Sequence, residues 1–385
     1  MTTVGPIDPA AMRRLNAATT LRELHRRRSA TLTQLTDETG LSRRTLELIL
    51  GDFVSLGQAA ESFNHKSKGA GRPARQFTFE AQHAFALALQ IGQDSIEVML
   101  SDLYGAPLGS WSEPVSASTP REERLDKVRG AVTALFRTLD VSVAKVAAVT
   151  VSTMGVVGDD GIVELKGAVG AVGPSVADWS GFSLSEALSD LFPCEVVVEN
   201  DAKLAAVGEG WRGGAQSASD YVYVLAEGRR VGIGVVIGGK LYRGLHGQAG
   251  EIYWAQPVFG LGEPMAPNPL LALDAPRTEA GEVALDLARR ARSGDSDALR
   301  DVNALAGALA PGLHAIACLL SPEVLVLGGA FSDIGAPLVD ALGREFDSRT
   351  SPDTRLTLTE LGNKAVLLGA LRTSLDRIES NLFGP

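Results

Sequence analysis

Residues 221–239, YVYVLAEGRRVGIGVVIGG, leave a polypeptide few choices. Two apolar, β-branched and aromatic runs flank a glycine turn, which predicts strand, tight turn, strand. The glycines are spaced as in a phosphate-binding turn, where missing side chains let backbone N–H groups close on an anion. Arg229 and Arg230 sit in the turn itself. Two long side chains in a tight loop fill the space that a phosphate needs, so the stretch keeps the shape of such a loop and loses its room.

The surrounding sequence repeats the theme of strands running into helices. FALALQIGQDSIEVMLSDLYGAPLGS reads as two apolar strands joined at Gly92, with a third strand beginning after the DLYGAPLG turn. REERLDKVRGAVTALFRTL is helical, VAAVTVSTMGVVG is a strand, and CEVVVENDAKLAAVGEGW is a strand entering a helix. GLHAIACLLSPEVLVLGGAF follows as helix, Pro-marked loop, strand and Gly-Gly turn. Such mixing predicts an α/β body whose cleft lies at the strand ends.

Ahead of this body, MRRLNAATTLRELHRRR places Leu15, Ala18, Leu21 and Leu24 at i, i+3 spacing, which predicts an amphipathic helix. Leu32 and Leu35 anchor a short second helix that Gly40 stops. Ser42 caps a third, whose inner face carries Leu46, Ile49, Leu50 and Phe53. That is a helix-turn-helix pattern, and Ser42, Arg43, Arg44 and Thr45 occupy the end that enters the DNA major groove in this motif. There arginine pairs with guanine, and Ser or Thr meets bases or phosphates. AAESFNHKSKGAGRPARQFTF then reads as strand, turn, strand, with Phe77 and Phe79 on one face: a wing. Lys66, Lys68, Arg72 and Arg75 put positive charge on and beside its tip, and Gly71-Arg72-Pro73 can lay an extended arginine into a narrow A·T minor groove.

Charge follows the same division. Residues 1–85 hold 12 Lys+Arg against 8 Asp+Glu, a balance of +4, whereas the remainder holds 24 against 38, a balance of −14 within a chain of net −10. A basic head on an acidic body points the head at a polyanion. At 385 residues with 45% apolar and 21% charged residues, the chain is globular and too long for one ordinary core. Two cysteines, Cys194 and Cys318, lie far apart in apolar surroundings outside any CxxC pair, so they are expected buried, with no disulfide framework. No apolar run of 18 residues and no signal-like N-terminus is apparent, so a cytoplasmic protein with no membrane contact is expected.

ENDAKLAAVGEGW, GIGVVIGGKLYRGLHGQAGEI and SPEVLVLGGAF together resemble the ROK family of repressors and sugar kinases, and the winged head followed by GRP resembles its transcription-factor branch. The resemblance covers about residues 15 to 380 and implies an α/β fold: an N-terminal winged helix-turn-helix over 1–80, then a two-lobed actin/hexokinase-like body with lobes at 81–200 and 201–385, the final helix returning to the first lobe. Family kinases hold phosphate and metal with a DxGxT turn. Here it reads QIGQDS, with Gln90 for the Asp and Asp94 for the Thr, and an amide supplies no negative charge for a divalent cation. The family's second turn, GTG, is Gly228-Arg229-Arg230. The family's His and Cys-rich zinc segment is missing, with Trp254 at the His position and no Cys or His after it. By resemblance, Asn200, Asp201 and Glu251 match sugar-contacting positions, Ser175 stands where an Asn is usual, and Trp254 offers a stacking face or a plug. Asp201 alternatively supports the fold by capping the AKLAAVGEGW helix.

These readings predict no enzyme, no cofactor and no metal, but a DNA-binding regulator that represses carbohydrate-related genes. Its expected partners are a pseudo-palindromic operator, a sugar or sugar derivative, and further copies of itself as homodimer or tetramer. The rivals are a sugar kinase with a DNA-binding head, and a ligand-independent regulator whose body only dimerises.

Overall fold

The computed structural model describes residues 8–64, 74–116, 118–164, 179–227, 230–251, 277–347 and 353–384. The chain forms two compact units. One comprises Met1–Ala86, Ser101–Ala106 and Leu375–Pro385; the other comprises Leu87–Leu100 and Pro107–Ser374. Most of residues 81–385 thus falls within the second unit, and the final helix contributes to each unit.

The first unit opens with α1 (Pro9–Arg27), β1 (Ser29–Thr31) and α2 (Leu32–Thr39). Ala18, Leu21 and Leu24 of α1 are buried as their spacing requires, but Leu15 is 45% exposed, so the apolar stripe begins one turn later than the pattern predicts. A capping box starts α2: Gln34 N–H donates to Thr31 Oγ1, and the Thr31 backbone N–H donates to Gln34 Oε1. Gly40 ends it at φ 68°, a left-handed conformation that glycine adopts without steric cost. Helix α3 (Arg43–Ser55) is capped by Ser42, whose Oγ accepts from Thr45 N–H at 3.2 Å, and it buries Leu46, Ile49, Leu50 and Phe53. Strands β2 (Ala59–Asn64) and β3 (Ala74–Phe79) pair antiparallel from Ala59↔Phe79 to Asn64↔Ala74, and β1 completes the order β1-β3-β2. Phe77 and Phe79 share the buried face. Two helices joined through the Gly40 turn, followed by a paired antiparallel hairpin, are therefore present.

The same unit includes the Ser101–Ala106 turn and the end of the final helix. Asp102 Oδ1 accepts from the backbone N–H groups of Tyr104 and Ala106, each at 2.9 Å, which fixes the turn. His25 stacks on Tyr104 with centroids 4.8 Å apart, meets Phe79 edge-on at 4.9 Å and lies 5.2 Å from Phe383.

The second unit contains two five-stranded sheets. Strands β4 (Phe85–Ile91), β5 (Ser95–Ser101), β6 (Pro107–Pro114), β7 (Val146–Thr153) and β11 (Val196–Asn200) form the order β11-β7-β4-β5-β6, with helix α4 (Arg121–Leu139) between β6 and β7. Short strands β8 (Val156–Val157), β9 (Ile162–Glu164) and β10 (Phe182–Ser183) make a small sheet of their own, followed by α5 (Leu184–Leu188). After α6 (Asp201–Arg212), strands β12 (Tyr221–Glu227), β13 (Arg230–Ile237) and β14 (Lys240–Leu241) lead to α7 (Arg277–Arg292) and α8 (Ser296–Leu320). Next come β15 (Val324–Gly328), α9 (Ala336–Asp347), β16 (Arg355–Leu358) and α10 (Ala365–Phe383). Their sheet has the order β14-β13-β12-β15-β16. Counted within itself, each sheet runs third, second, first, fourth, fifth strand.

The interior strands are near-continuous apolar runs, as strands covered on both faces must be: every residue of β15 is buried, as are Phe85 through Leu89 of β4. Leu305, Leu309 and Leu313 of α8 and Leu338 and Leu342 of α9 pack against Val222, Val224, Leu325 and Leu327. Helix α8 is long and apolar enough by composition to cross a membrane, but half of that window is buried inside the protein as a core helix. Its last turn leaves the core. Leu319 is 82% exposed and Cys318 is exposed, while Cys194 is half-buried. The expectation that both cysteines pack as buried hydrophobes is therefore wrong: apolar neighbours in sequence do not bury a residue once its helix outruns the sheet.

The glycines of the opening stretch have a packing role. A Cβ at Gly234 would come within 2.5 Å of Ala202 O and 2.6 Å of Ala206 Cβ, and one at Gly232 within 2.8 Å of Ala202 Cβ. They let α6 lie directly on β13. On its other side, α6 meets α10 backbone to backbone, because a Cβ at Gly369 would run into Leu204 O and one at Gly208 into Ala365 O.

Candidate functional site

In the first unit, the exposed end of α3 presents Ser42, Arg43 and Arg44, with Thr45 partly covered. Thr45 and Ser42 are tied by a 2.9 Å hydroxyl contact and by the cap. Arg43 Nε lies 3.4 Å from Glu47 Oε1, an exposed pair worth little, whereas Arg44 has no hydrogen bond or ion pair among the described residues. Leu48, one turn on from Arg44, is 64% exposed. Arg75 is committed elsewhere: its guanidinium grips both oxygens of Glu61 and lies 3.9 Å from Glu47. The hydrogen bond to Glu61 holds its pKa above the usual arginine value and that of Glu61 below the usual carboxylate value. The sequence counts Arg75 as free positive charge beside the wing; the fold neutralises it. Lys66, Lys68, Gly71, Arg72 and Pro73 lie outside the described residues.

In the second unit, the ends of β4 and β7, the start of α6 and the side of β12 surround a cavity of ≈ 40 Å³. Gln90, Asp94, Ser152, Asp201, Leu225 and Val366 are among its walls. At roughly 10–15 Å³ per water-sized site, this volume corresponds to about three small polar groups. Of the described residues in the expected ligand set (Asn200, Asp201 and Glu251), Asp201 lines it. Asn200 is buried and structural: its Oδ1 accepts from Lys203 N–H at 3.1 Å, and its Nδ2 donates to Gly155 O at 3.0 Å. The capping role that the sequence offered to Asp201 belongs to its neighbour, while an Asp201 Oδ1 accepts from Ala202 N–H at 2.8 Å. Glu251 is held by Lys203, whose fully buried Nζ reaches Glu251 Oε1 at 3.1 Å and Gly247 O at 2.7 Å. Ser175 and Trp254 lie outside the described residues, as do Gly228 and Arg229; Arg230 enters β13 opposite Glu227. No group of three or more His, Cys, Asp or Glu placed to hold a metal occurs among the described residues.

Three charged groups here escape sequence reasoning. Lys203 stands in DAKLAAVG, where only its small apolar neighbours hint that this cation is covered. Glu199 is buried with Arg243 Nε 2.8 Å from its Oε2, and the same guanidinium donates to Val157 O. Arg124, in the first turn of α4, is 1% exposed and donates to the carbonyls of Gly92, Gln93 and Ser116, the last at 2.6 Å. Burial pushes its pKa down, opposed by the charge of Asp94. The QIGQDS turn is thus clamped from behind by a protein cation.

The fold and cleft define a hexokinase-like α/β body of the ROK class preceded by a small helical unit with a three-stranded sheet. Residues 86–376 match the ROK family model, and the chain belongs to the ROK family. A xylose repressor of Caldicellulosiruptor bescii is 24% identical over 242 residues, which span 63% of this chain and 58% of that protein. A xylose repressor of Bacillus spizizenii is 22% identical over 94% of this chain and 95% of its own length. A glucokinase of Halalkalibacterium halodurans is 27% identical, covering 50% of this chain and 67% of its own. Among solved structures, that of a ROK family transcriptional regulator homologous to the E. coli MLC protein superposes with a TM-score of 0.68 at 16% identity, covering 97% of this chain and 98% of the other. That likeness shows the fold over nearly the whole chain.

Proposed function

We propose that this protein is a DNA-binding transcriptional repressor, cytoplasmic and homo-oligomeric, whose body senses a sugar or sugar derivative. The observation that carries the reading is the exposed end of α3, with Arg44 uncommitted, on a basic head attached to a ROK body. The repressor relatives support it. Ser42, Arg43, Arg44 and Thr45 would meet the major groove, and Lys66, Lys68, Gly71, Arg72 and Pro73 the adjacent minor groove. Asp201, with Asn200, Glu251, Ser175 and Trp254 nearby in the family's pattern, would form the effector site. A two-fold dimer would read a pseudo-palindromic operator. Effector binding regulates only if its affinity differs between the DNA-competent and DNA-incompetent states.

Fluorescence anisotropy with DNA from upstream of the protein's own gene, against scrambled DNA and across a salt series, tests the reading. Preferential binding with a steep salt slope is expected. Absence of any sequence preference, there and in selection from a random duplex library, would sink it. The glucokinase relative supports a second reading, a sugar kinase with a DNA-binding head. A coupled ADP assay decides between them, and no turnover is expected. Phosphoryl transfer rests on positioning and charge neutralisation, and Gln90 replaces the metal-binding carboxylate that resemblance assigns to its position.

A further inference from the structure

Two buried polar atoms on the cavity wall have no hydrogen-bond partner among the described residues: Gln90 Oε1 and Ser152 Oγ. Ser152 is fully buried, at 0% exposure. Orphaned buried polar groups are uncommon in folded proteins because each forfeits its hydration without compensation, and such a group calls for an occupant. An amide oxygen only accepts, so its partner must bring an O–H or N–H. A hydroxyl of serine donates or accepts. We infer that Gln90 and Ser152 read hydroxyl groups of an unphosphorylated sugar, at the place where family kinases are built to hold phosphate. A phosphate dianion offers no proton to Gln90 Oε1 and would set oxygen against oxygen there. The small cavity takes one or two hydroxyl-bearing carbons of the ring edge, with the rest of the sugar toward Asp201. This inference rests on the sensor reading above and names its ligand class.

The test is calorimetric titration of the full-length protein with a panel of free pentoses and hexoses, xylose and glucose included, and with glucose 6-phosphate at matched ionic strength. Wild type, Gln90→Leu and Ser152→Ala are compared, each with its ligand-free melting temperature. A free sugar is expected to bind wild type, and each variant to bind it about tenfold more weakly, the loss of one hydrogen bond. Glucose 6-phosphate should bind more weakly than glucose. Without ligand, the variants should melt no lower than wild type, because each removes an unsatisfied group. Binding of free sugar that both variants leave unchanged would mean that the cavity holds water alone, and the inference falls while the sensor reading stands. Preference for the phosphate would likewise overturn the inference alone. No binding of any sugar to wild type at millimolar concentration would remove the sensor reading itself. Variants that melt lower and bind sugar as before would assign Gln90 and Ser152 to packing and overturn the inference.

Discussion

Removing the Lys203 side chain would leave the Glu251 carboxylate and the Gly247 carbonyl without their shared donor. Breaking a buried pair from one side is costly, because the remaining charge keeps its desolvation penalty. Lys203→Met is therefore expected to destabilise the fold by about 3 kcal/mol, the low end of that class because Glu251 is part-exposed. Urea denaturation should show a lower midpoint at unchanged slope, partly restored by adding Glu251→Gln. Glu209 gives a pH signature. It is fully buried at the end of α6, where Thr359 Oγ1 and Gly214 N–H donate to it, and burial raises its pKa above the ordinary 4.5. The folded state then holds this proton more tightly than the unfolded chain does. Its contribution to stability is complete below 4.5 and is lost as pH rises from there through the raised folded value. Glu209→Gln should gain on wild type in stability between pH 5 and pH 7; a constant difference across that range would remove the effect. Neither residue was legible as special. Lysines and glutamates are normally solvated, and apart from the small apolar neighbours of Lys203 nothing in DAKLAAVGEG says which face the sheet will cover.

The elements themselves were largely readable. Leu46, Ile49, Leu50 and Phe53 set α3, Phe77 and Phe79 set the face of β3, and Gly40 and Ser42 set the helix ends, because periodicity and capping are local physics. Leu15 and Cys318 were misjudged because exposure near a helix end depends on where the neighbouring element stops, which is tertiary information. The crossing of α6 and α10 at Gly208 and Gly369 was invisible for the same reason: the two glycines lie far apart in the chain. In isolation, Gly→Ala stabilises a helix by up to about 1 kcal/mol. At Gly369 the added methyl meets Leu204 O, so Gly369→Ala is expected to cost about 1–3 kcal/mol of overpacking and lower the melting temperature. A rise instead would mean that the crossing relaxes freely.

At the scale of the whole molecule, charge divides the labour. The basic head has Arg44 without an ion pair among the described residues on its exposed helix end, while Arg75 is held by Glu61. Arg44→Ala should weaken operator binding by about 1–3 kcal/mol and relax the preference at one base pair, and competition binding against single-base operator variants would read it out. Uniform weakening on all sequences would make Arg44 a phosphate contact. The family was legible because the matching motifs fall at strand ends, whereas the order of strands within each sheet was not read from the sequence. The cavity's unpartnered atoms were not, since satisfaction of a buried hydroxyl is a property of its surroundings. The same strand order, run through twice, gives each half of the body a corresponding first turn. In the first half, Arg124 has bolted that turn to the helix beside it through the carbonyls of Gly92 and Gln93, and it also holds the Ser116 carbonyl ahead of that helix. A turn secured in this way is masonry: its shape is set by the protein's own cation before any ligand arrives.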